Sequence, residues 1–122
     1  MKRDMNLIRK LLLALEEGDG RQIVIDGYNE TQIGYHCYLI VDAGLAKGVD
    51  VTCRESECPE YIATELTWAG HDFLDAAREP DRWKTAQGVF TKMGGVTLEV
   101  AKAVLTTLMT QQANRLLGLG DT

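Results

Sequence analysis

Two cysteines and two histidines are the side chains whose types could hold a metal ion in this chain. Cys53 and Cys58 have four residues between them, a spacing compatible with zinc, which accepts thiolate and imidazole ligands. His36 and His71 fall in separate predicted elements, however, and no second cysteine pair follows. Cys37 lies among apolar residues and is expected to be a small core side chain. We therefore expect no metal ion and no cofactor.

The sequence offers equally few groups for catalysis. A cysteine nucleophile needs a base oriented beside it, and nothing in the order of these residues indicates such a pair. His71 begins a predicted helix and could line a ligand pocket, although a structural histidine near a helix cap explains its position better. We expect a binding protein rather than an enzyme, with no catalytic residue.

Polar residues at the start of the predicted second helix form the candidate binding site. Their amide, hydroxyl and ring groups suit contacts with base edges in a DNA groove, and they are Asn29, Thr31, Gln32, Tyr35 and His36. Contacts with phosphate need cations, and the cations that cluster near the first helix are Lys2, Arg3, Arg9 and Lys10. Any solvated helix start carries similar polar residues, and such cations are more often simply a solvated face.

The charge of the chain opposes simple DNA binding. The net charge is −5, the pI is near 5.0, and residues 22–46 contain no lysine or arginine. A nucleic-acid-binding protein usually has a basic surface, at least locally. Our leading hypothesis is nevertheless a transcriptional regulator that binds duplex DNA, and the alternative is a modulator or inhibitor that binds a host protein without binding DNA. The loop 54–60, with three glutamates, would suit the second.

Periodicity places these residues on an α+β fold. Asn29 is typical of an N-cap and Gly44 of a helix end. Helices are predicted over 2–17, 29–43, 69–78, 80–92 and 97–117, and strands over 22–25, 47–53 and 61–68. We interpret 1–68 as a winged-helix core, with 47–53 and 61–68 as the paired wing strands. Residues 69–122 would be a helical extension packed on it, within a single domain.

Four phrases carry a resemblance: MKRDMNLIRKLLLALE, GYNETQIGYHCYLIVDAGL, LTWAGHDFLDAAR and VTLEVAKAVL. In this order they resemble a family of small phage- and prophage-encoded proteins, known as a domain of unknown function and assigned to the winged-helix group. The resemblance implies a winged-helix fold and a mobile-element origin, and it implies no activity. The chain departs from DNA-binding winged helices because it lacks a separate positioning helix and basic residues in its middle helix.

The last predicted helix carries an apolar arc wider than a lone amphipathic helix requires. We interpret the arc as the seam of a homodimer, with intramolecular core as the alternative. The seam would be lined by Leu98, Ala101, Leu105 and Leu108.

The composition also indicates in which cellular compartment the protein is expected. No apolar run approaches the ~18 residues needed to span a bilayer, and the first residues do not form an apolar signal region. Three cysteines in such a chain are typical of a reducing compartment. We expect a cytoplasmic protein that does not contact a membrane.

Overall fold

A computed structural model describes residues 1–18 and 23–119 of the chain. Within these ranges the fold is α+β, with five helices and one antiparallel sheet of two strands, so the predicted class is confirmed. The helices are α1 (Met5–Glu17), α2 (Glu30–Asp42), α3 (Trp68–Ala77), α4 (Pro80–Lys92) and α5 (Leu98–Leu116), and the strands are β1 (Ala46–Asp50) and β2 (Tyr61–Leu66).

The chain divides into two compact units, residues 1–74 and 75–122, and the division falls inside α3. The first unit contains α1, α2 and the hairpin of β1 and β2; the second contains α4 and α5. The packing of a 69–122 extension on a 1–68 core stays a prediction.

Helix α1 begins three residues later than predicted because Asp4 is its N-cap. The Asp4 backbone is extended, and its carboxylate accepts the amide hydrogens of Asn6 and Leu7 at 2.9 and 3.2 Å. A carboxylate that caps these donors fixes the helix start. Lys2 and Arg3 therefore lie before α1 rather than in it. Its buried face is formed by Leu7, Ile8, Leu11 and Leu12.

The strand predicted over residues 22–25 is wrong where it can be compared. Residues 23–25 belong to no helix or strand, and Val24 is 81% exposed, whereas Gln22 lies outside the described residues. A short β-branched run becomes a strand only when another strand pairs with it. The sheet in the described part of the chain pairs β1 with β2 alone.

Helix α2 matches its prediction closely. The Asn29 side chain accepts from the Gln32 amide, and the Gln32 side chain accepts from the Asn29 amide, which is a capping box. Gly44 follows the helix with φ 80°, a conformation that favours glycine. The helix end predicted at Gly44 is confirmed.

The two strands β1 and β2 pair as predicted, although β1 is shifted toward the start of the chain. Val49 opposes Ile62 and Asp50 opposes Tyr61, and a bulge lies between Lys47 and Gly48. Beyond β1 the pairing continues for one more bond, from the Val51 amide to the Glu60 carbonyl at 2.9 Å. Residues 52 and 53, predicted as strand, lie in the loop.

The base of the hairpin is closed by Thr67. Its hydroxyl donates to the Gly44 carbonyl at 2.6 Å, and its amide donates to the Leu45 carbonyl at 3.0 Å. The same hydroxyl oxygen accepts from the Gly70 amide at 3.1 Å, so Thr67 also begins α3. Trp68, the first residue of α3, is 84% exposed.

The second unit packs α4 against α5, and this packing corrects the predicted seam. Ala101 and Leu105 are 0% exposed within the single chain, so they belong to its core and cannot line a surface. Leu98 and Leu108 are half-buried. The apolar arc of α5 is wide because α5 covers α4, where Trp83 is buried. The homodimer itself stays a prediction.

Candidate functional site

His36 is buried on α2, at 2% exposure. Its Nε2 accepts a hydrogen bond from the Asp4 amide at 2.8 Å, and its Nδ1 lies 2.8 Å from the Gln32 carbonyl oxygen. A nitrogen that accepts from an amide carries no proton, so the proton resides on Nδ1 and is donated to Gln32. The ring is therefore neutral. Burial lowers the pKa of His36, and the Gln32 carbonyl and the Asp4 carboxylate oppose this to a smaller extent.

Asp4 connects His36 to Tyr28. The Tyr28 hydroxyl donates to the Asp4 carboxylate at 2.9 Å, while the Lys10 ammonium lies 5.6 Å from the centre of the Tyr28 ring. Burial, the hydrogen bond and the negative charge of Asp4 together raise the pKa of Tyr28. This hydrogen-bond chain fixes the residues before α1 against α2.

A surface depression lies over this chain of bonds, and we call it the N-terminal depression. It is an open feature of about 480 Å³. Its lining residues are Met1, Lys2, Arg3, Asp4, Met5, Leu7, Tyr28, Gln32 and His36. The structure thus brings together four of the residues predicted to contact DNA: two cations, an amide and an imidazole.

The His36 ring is nevertheless not available to contact a DNA base. The prediction treated it as an exposed polar residue of the second helix, but its ring is buried and both nitrogens are engaged within the chain. Asn29 is exposed and Gln32 is half-buried, and the side-chain oxygen of each already accepts in the capping box. Recognition of adenine by such an amide uses its oxygen and its nitrogen together, so that recognition would compete with the cap.

The remaining predicted residues lie at different depths. Thr31 and Tyr35 are half-buried on α2. Arg9 is also half-buried, and its burial lowers the pKa of its guanidinium. Lys10 is exposed, with its ammonium held over Tyr28.

Three tyrosines form a continuous aromatic surface, which we call the tyrosine row (Tyr35, Tyr38 and Tyr61). Ring centroids are 5.9 Å apart between Tyr35 and Tyr38, and 5.3 Å apart between Tyr38 and Tyr61. All three side chains are half-buried. The spacing of Tyr35 and Tyr38 on one helix was visible in the sequence. Tyr61 joins them only because β2 packs on α2, and sequence reasoning missed it.

Glycine allows β2 to approach α2 at this place. A Cβ on Gly34 would lie 3.2 Å from the Cβ of Glu60, tighter than ordinary contact. Glu60 therefore lies beside the tyrosine row, and Glu30 and Asp42 are exposed at the two ends of α2.

The negative charge of the chain is concentrated in the first unit. Residues 1–74 hold seven lysines and arginines against thirteen aspartates and glutamates, whereas residues 75–122 hold six against five. Four cations of the first unit, Lys2, Arg3, Arg9 and Lys10, belong to α1 or to the residues directly before it. A phosphate-binding surface centred on α2 has no cation of its own.

The loop between β1 and β2 does not assemble a metal site. Cys53 is exposed with its Sγ 3.3 Å from the Ser56 hydroxyl, Cys58 is half-buried, and both are free thiols. Across residues 1–18 and 23–119, no three His, Cys, Asp or Glu side chains are grouped to hold a metal ion. Cys37 is buried at 3% exposure, which confirms its prediction as a core residue, and burial raises the pKa of its thiol.

Comparison with known proteins gives the family of the chain. A family model described as "Hypothetical protein (DUF2513)" matches residues 2–97. The chain belongs to the DUF2513 family. A relative from Haemophilus influenzae (strain ATCC 51907 / DSM 11121 / KW20 / Rd), described as an uncharacterized protein, is 31% identical over 117 residues. The alignment covers 91% of this chain and 98% of that protein. No solved structure matches the chain significantly. The membership confirms the predicted domain of unknown function.

Among the helices of the described residues, none combines the length and the apolar composition that a membrane-spanning helix requires.

Proposed function

We propose that this DUF2513 protein is a non-enzymatic binding module whose tyrosine row contacts a partner protein. The observation that carries the proposal is the continuous, half-buried tyrosine row, in which Tyr61 of β2 joins Tyr35 and Tyr38 of α2, a helix without a cation. Tyrosines are enriched at protein interfaces and among the residues that dominate binding energy. Exposed Glu30 and Asp42 flank the row. The partner surface that complements it is therefore basic, with apolar area at its centre.

The winged-helix interpretation belongs to this proposal. The order α1, α2 and hairpin, with 51–60 as the wing tip, supports it, although a separate positioning helix is missing between residues 23 and 29. In that fold α2 takes the place of the recognition helix. An acidic wing and an aromatic α2 would then present a protein-binding surface. DNA-binding winged-helix proteins present a basic surface at the same place. A phage or prophage origin and a host protein as the target complete the proposal.

The test is capture from a lysate of the cells that encode the chain, followed by reconstitution with the purified partner. Tyr35→Ala and Tyr38→Ala should each raise the dissociation constant about tenfold, because truncation of an interface aromatic removes packing that the partner cannot replace. Trp68→Ala is the matched control: an exposed aromatic of the same unit, outside the row. Equal binding by the tyrosine variants and the control would reject the proposal.

Duplex DNA is the second candidate because Lys2, Arg3 and Gln32 line one depression. Each phosphate contact contributes about −0.9 to the slope of log affinity against log salt, so these few cations predict a shallow slope and weak non-specific binding. In a low-salt mobility-shift titration, Lys2→Ala with Arg3→Ala should weaken binding to all sequences equally, and Gln32→Ala should relax any sequence preference. Lys84→Ala with Lys92→Ala, two cations of α4, is the control. Absence of a shift at tens of micromolar would remove this candidate.

A further inference from the structure

A buried imidazole joins Asp4, directly before α1, to α2. The Asp4 amide donates to Nε2 of His36, and the Gln32 carbonyl accepts from Nδ1. Both nitrogens are satisfied only while the ring is neutral and protonated on Nδ1. A second proton, on Nε2, would turn this acceptor into a donor that faces another donor, the Asp4 amide.

We propose that His36 is a pH-sensitive latch: its neutral ring holds the Asp4 amide against α2, and protonation of Nε2 breaks that hydrogen bond. Asp4 is the N-cap of α1, so release also weakens the first turn of that helix. Lys2 and Arg3 directly precede the latch and line the N-terminal depression. Opening the latch therefore loosens the backbone that carries Lys2 and Arg3 beside Gln32.

The charged and titratable groups around His36 decide the direction of the response. Those that line the depression with it are the amino terminus of Met1, Lys2, Arg3, Asp4 and Tyr28. On α2 the Tyr35 ring meets the imidazole edge to face at 5.7 Å. Two hairpin residues face other parts of α2: Tyr61 lies against Tyr38, and Glu60 lies against Gly34.

The Gln32 carbonyl and the Asp4 carboxylate both favour an imidazolium. The Asp4 carboxylate is already engaged, because it accepts from the Asn6 and Leu7 amides and from the Tyr28 hydroxyl. Burial of the ring is the larger effect and lowers the pKa of His36. The latch therefore stays closed at neutral pH and opens under acid conditions.

The lowered pKa of His36 makes the stability of the fold decrease as the solution becomes acidic. A histidine with a lowered pKa in the folded chain binds fewer protons there than in the unfolded chain, whose pKa is near 6.5. Its contribution to stability is complete above about pH 6.5 and is lost as pH falls through the folded pKa. Each unit of lowering corresponds to about a tenfold change in the unfolding equilibrium constant.

Ring-nitrogen NMR on the full chain tests the latch directly. At pH 7.5 the expected result is an Nδ1–H tautomer with Nε2 unprotonated. On acidification the ring should titrate below pH 6.5, and the Asp4 amide should lose exchange protection in the same step. The Ile40 amide, in the interior of α2, should keep its protection as the control. An Nε2–H tautomer at pH 7.5, or an Asp4 amide that stays protected through the ring titration, overturns the proposal.

Urea unfolding between pH 5 and pH 8 provides the second measurement. His36→Gln should lose the acid-dependent component below about pH 6.5, whereas His71→Gln, a change at the exposed histidine, should keep the profile of the unaltered chain. Identical profiles for all three proteins overturn the latch. If His36→Gln does not fold, the ring tautomer and the Asp4 amide of the unaltered chain still decide between the outcomes.

Discussion

Gly70, in the first turn of α3, lies directly against the carbonyl oxygen of Leu45. A Cβ at position 70 would overlap that oxygen and its carbon. The carbonyl has no freedom to turn aside, because it accepts the Thr67 amide at 3.0 Å. The contact fixes α3 at the base of the hairpin of β1 and β2. It also explains why a glycine stands near the start of this helix, although glycine lowers the stability of a helix.

Gly70→Ala should therefore lower the free energy of unfolding by about 2–3 kcal/mol, since the added methyl group forces apart two backbone segments. Gly88→Ala in α4 is the matched control, because a Cβ there meets nothing within 4 Å. This control should gain about 0.5–1 kcal/mol from helix propensity. Urea unfolding compares them, and equal stability of the two variants would contradict the close approach.

Leu105→Ala distinguishes core from seam on α5. Because Leu105 is 0% exposed in the single chain, the change should lower the free energy of unfolding by about 2–5 kcal/mol through lost burial and the cavity left behind. Leu116→Ala, at an 81% exposed position of the same helix, should change it by less than about 0.5 kcal/mol. Light scattering should give one mass for both variants. A Leu105→Ala protein of unchanged stability and smaller mass would restore the seam.

The cysteines should react with iodoacetamide in an order set by burial. The thiolate is the reactive form, and Cys37 combines 3% exposure with a raised pKa, whereas Cys53 is exposed. Mass spectrometry of the native chain at pH 8 should show Cys53 modified first and Cys37 last. Modification of all three at one rate is expected only in urea. If the native chain gives that result, the placement of α2 in the core is wrong.

Tyr28 should make stability depend on pH on the alkaline side. Its pKa is raised in the folded chain by burial and by Asp4, so its contribution is present below about pH 10 and is lost as pH rises through the folded pKa. Tyr28→Phe should remove this dependence and, at pH 7, cost about 0.5–1.5 kcal/mol for the lost hydrogen bond. Tyr35→Phe is the control, and urea unfolding from pH 7 to pH 10.5 is the measurement. Parallel curves for Tyr28→Phe and the unaltered chain would contradict the bond to Asp4.

Local chemistry made much of this fold predictable. Pro80 sits at the first turn of α4, the capping box of Asn29 and Gln32 starts α2, and Gly44 ends it. These signals act within a few residues, so the sequence alone specifies them. The hairpin was predictable for the same reason, since two alternating runs flank a polar loop.

Long-range contacts explain what the sequence did not reveal. His36 resembles its polar neighbours in the sequence, and its burial depends on Asp4, which is 32 residues away. The apolar arc of α5 fits a dimer seam and an intramolecular core equally well, and only the position of α4 decides. Tyr61 enters the candidate site because a strand crosses α2 at Gly34. Periodicity fixes which face of an element is apolar, but it does not identify the surface that covers that face.

The aromatic side chains give each unit its own optical reporter. Trp68 is 84% exposed in the first unit, whereas Trp83 is 4% exposed in the second. Only Trp83 has a water-excluded environment to lose, so a red shift of the intrinsic emission records the melting of residues 75–122 almost alone. Near-ultraviolet absorbance of the four tyrosines, all of them in residues 28–61, follows the other unit. Recording both signals during one thermal scan would show whether the halves of this molecule melt in concert or in succession.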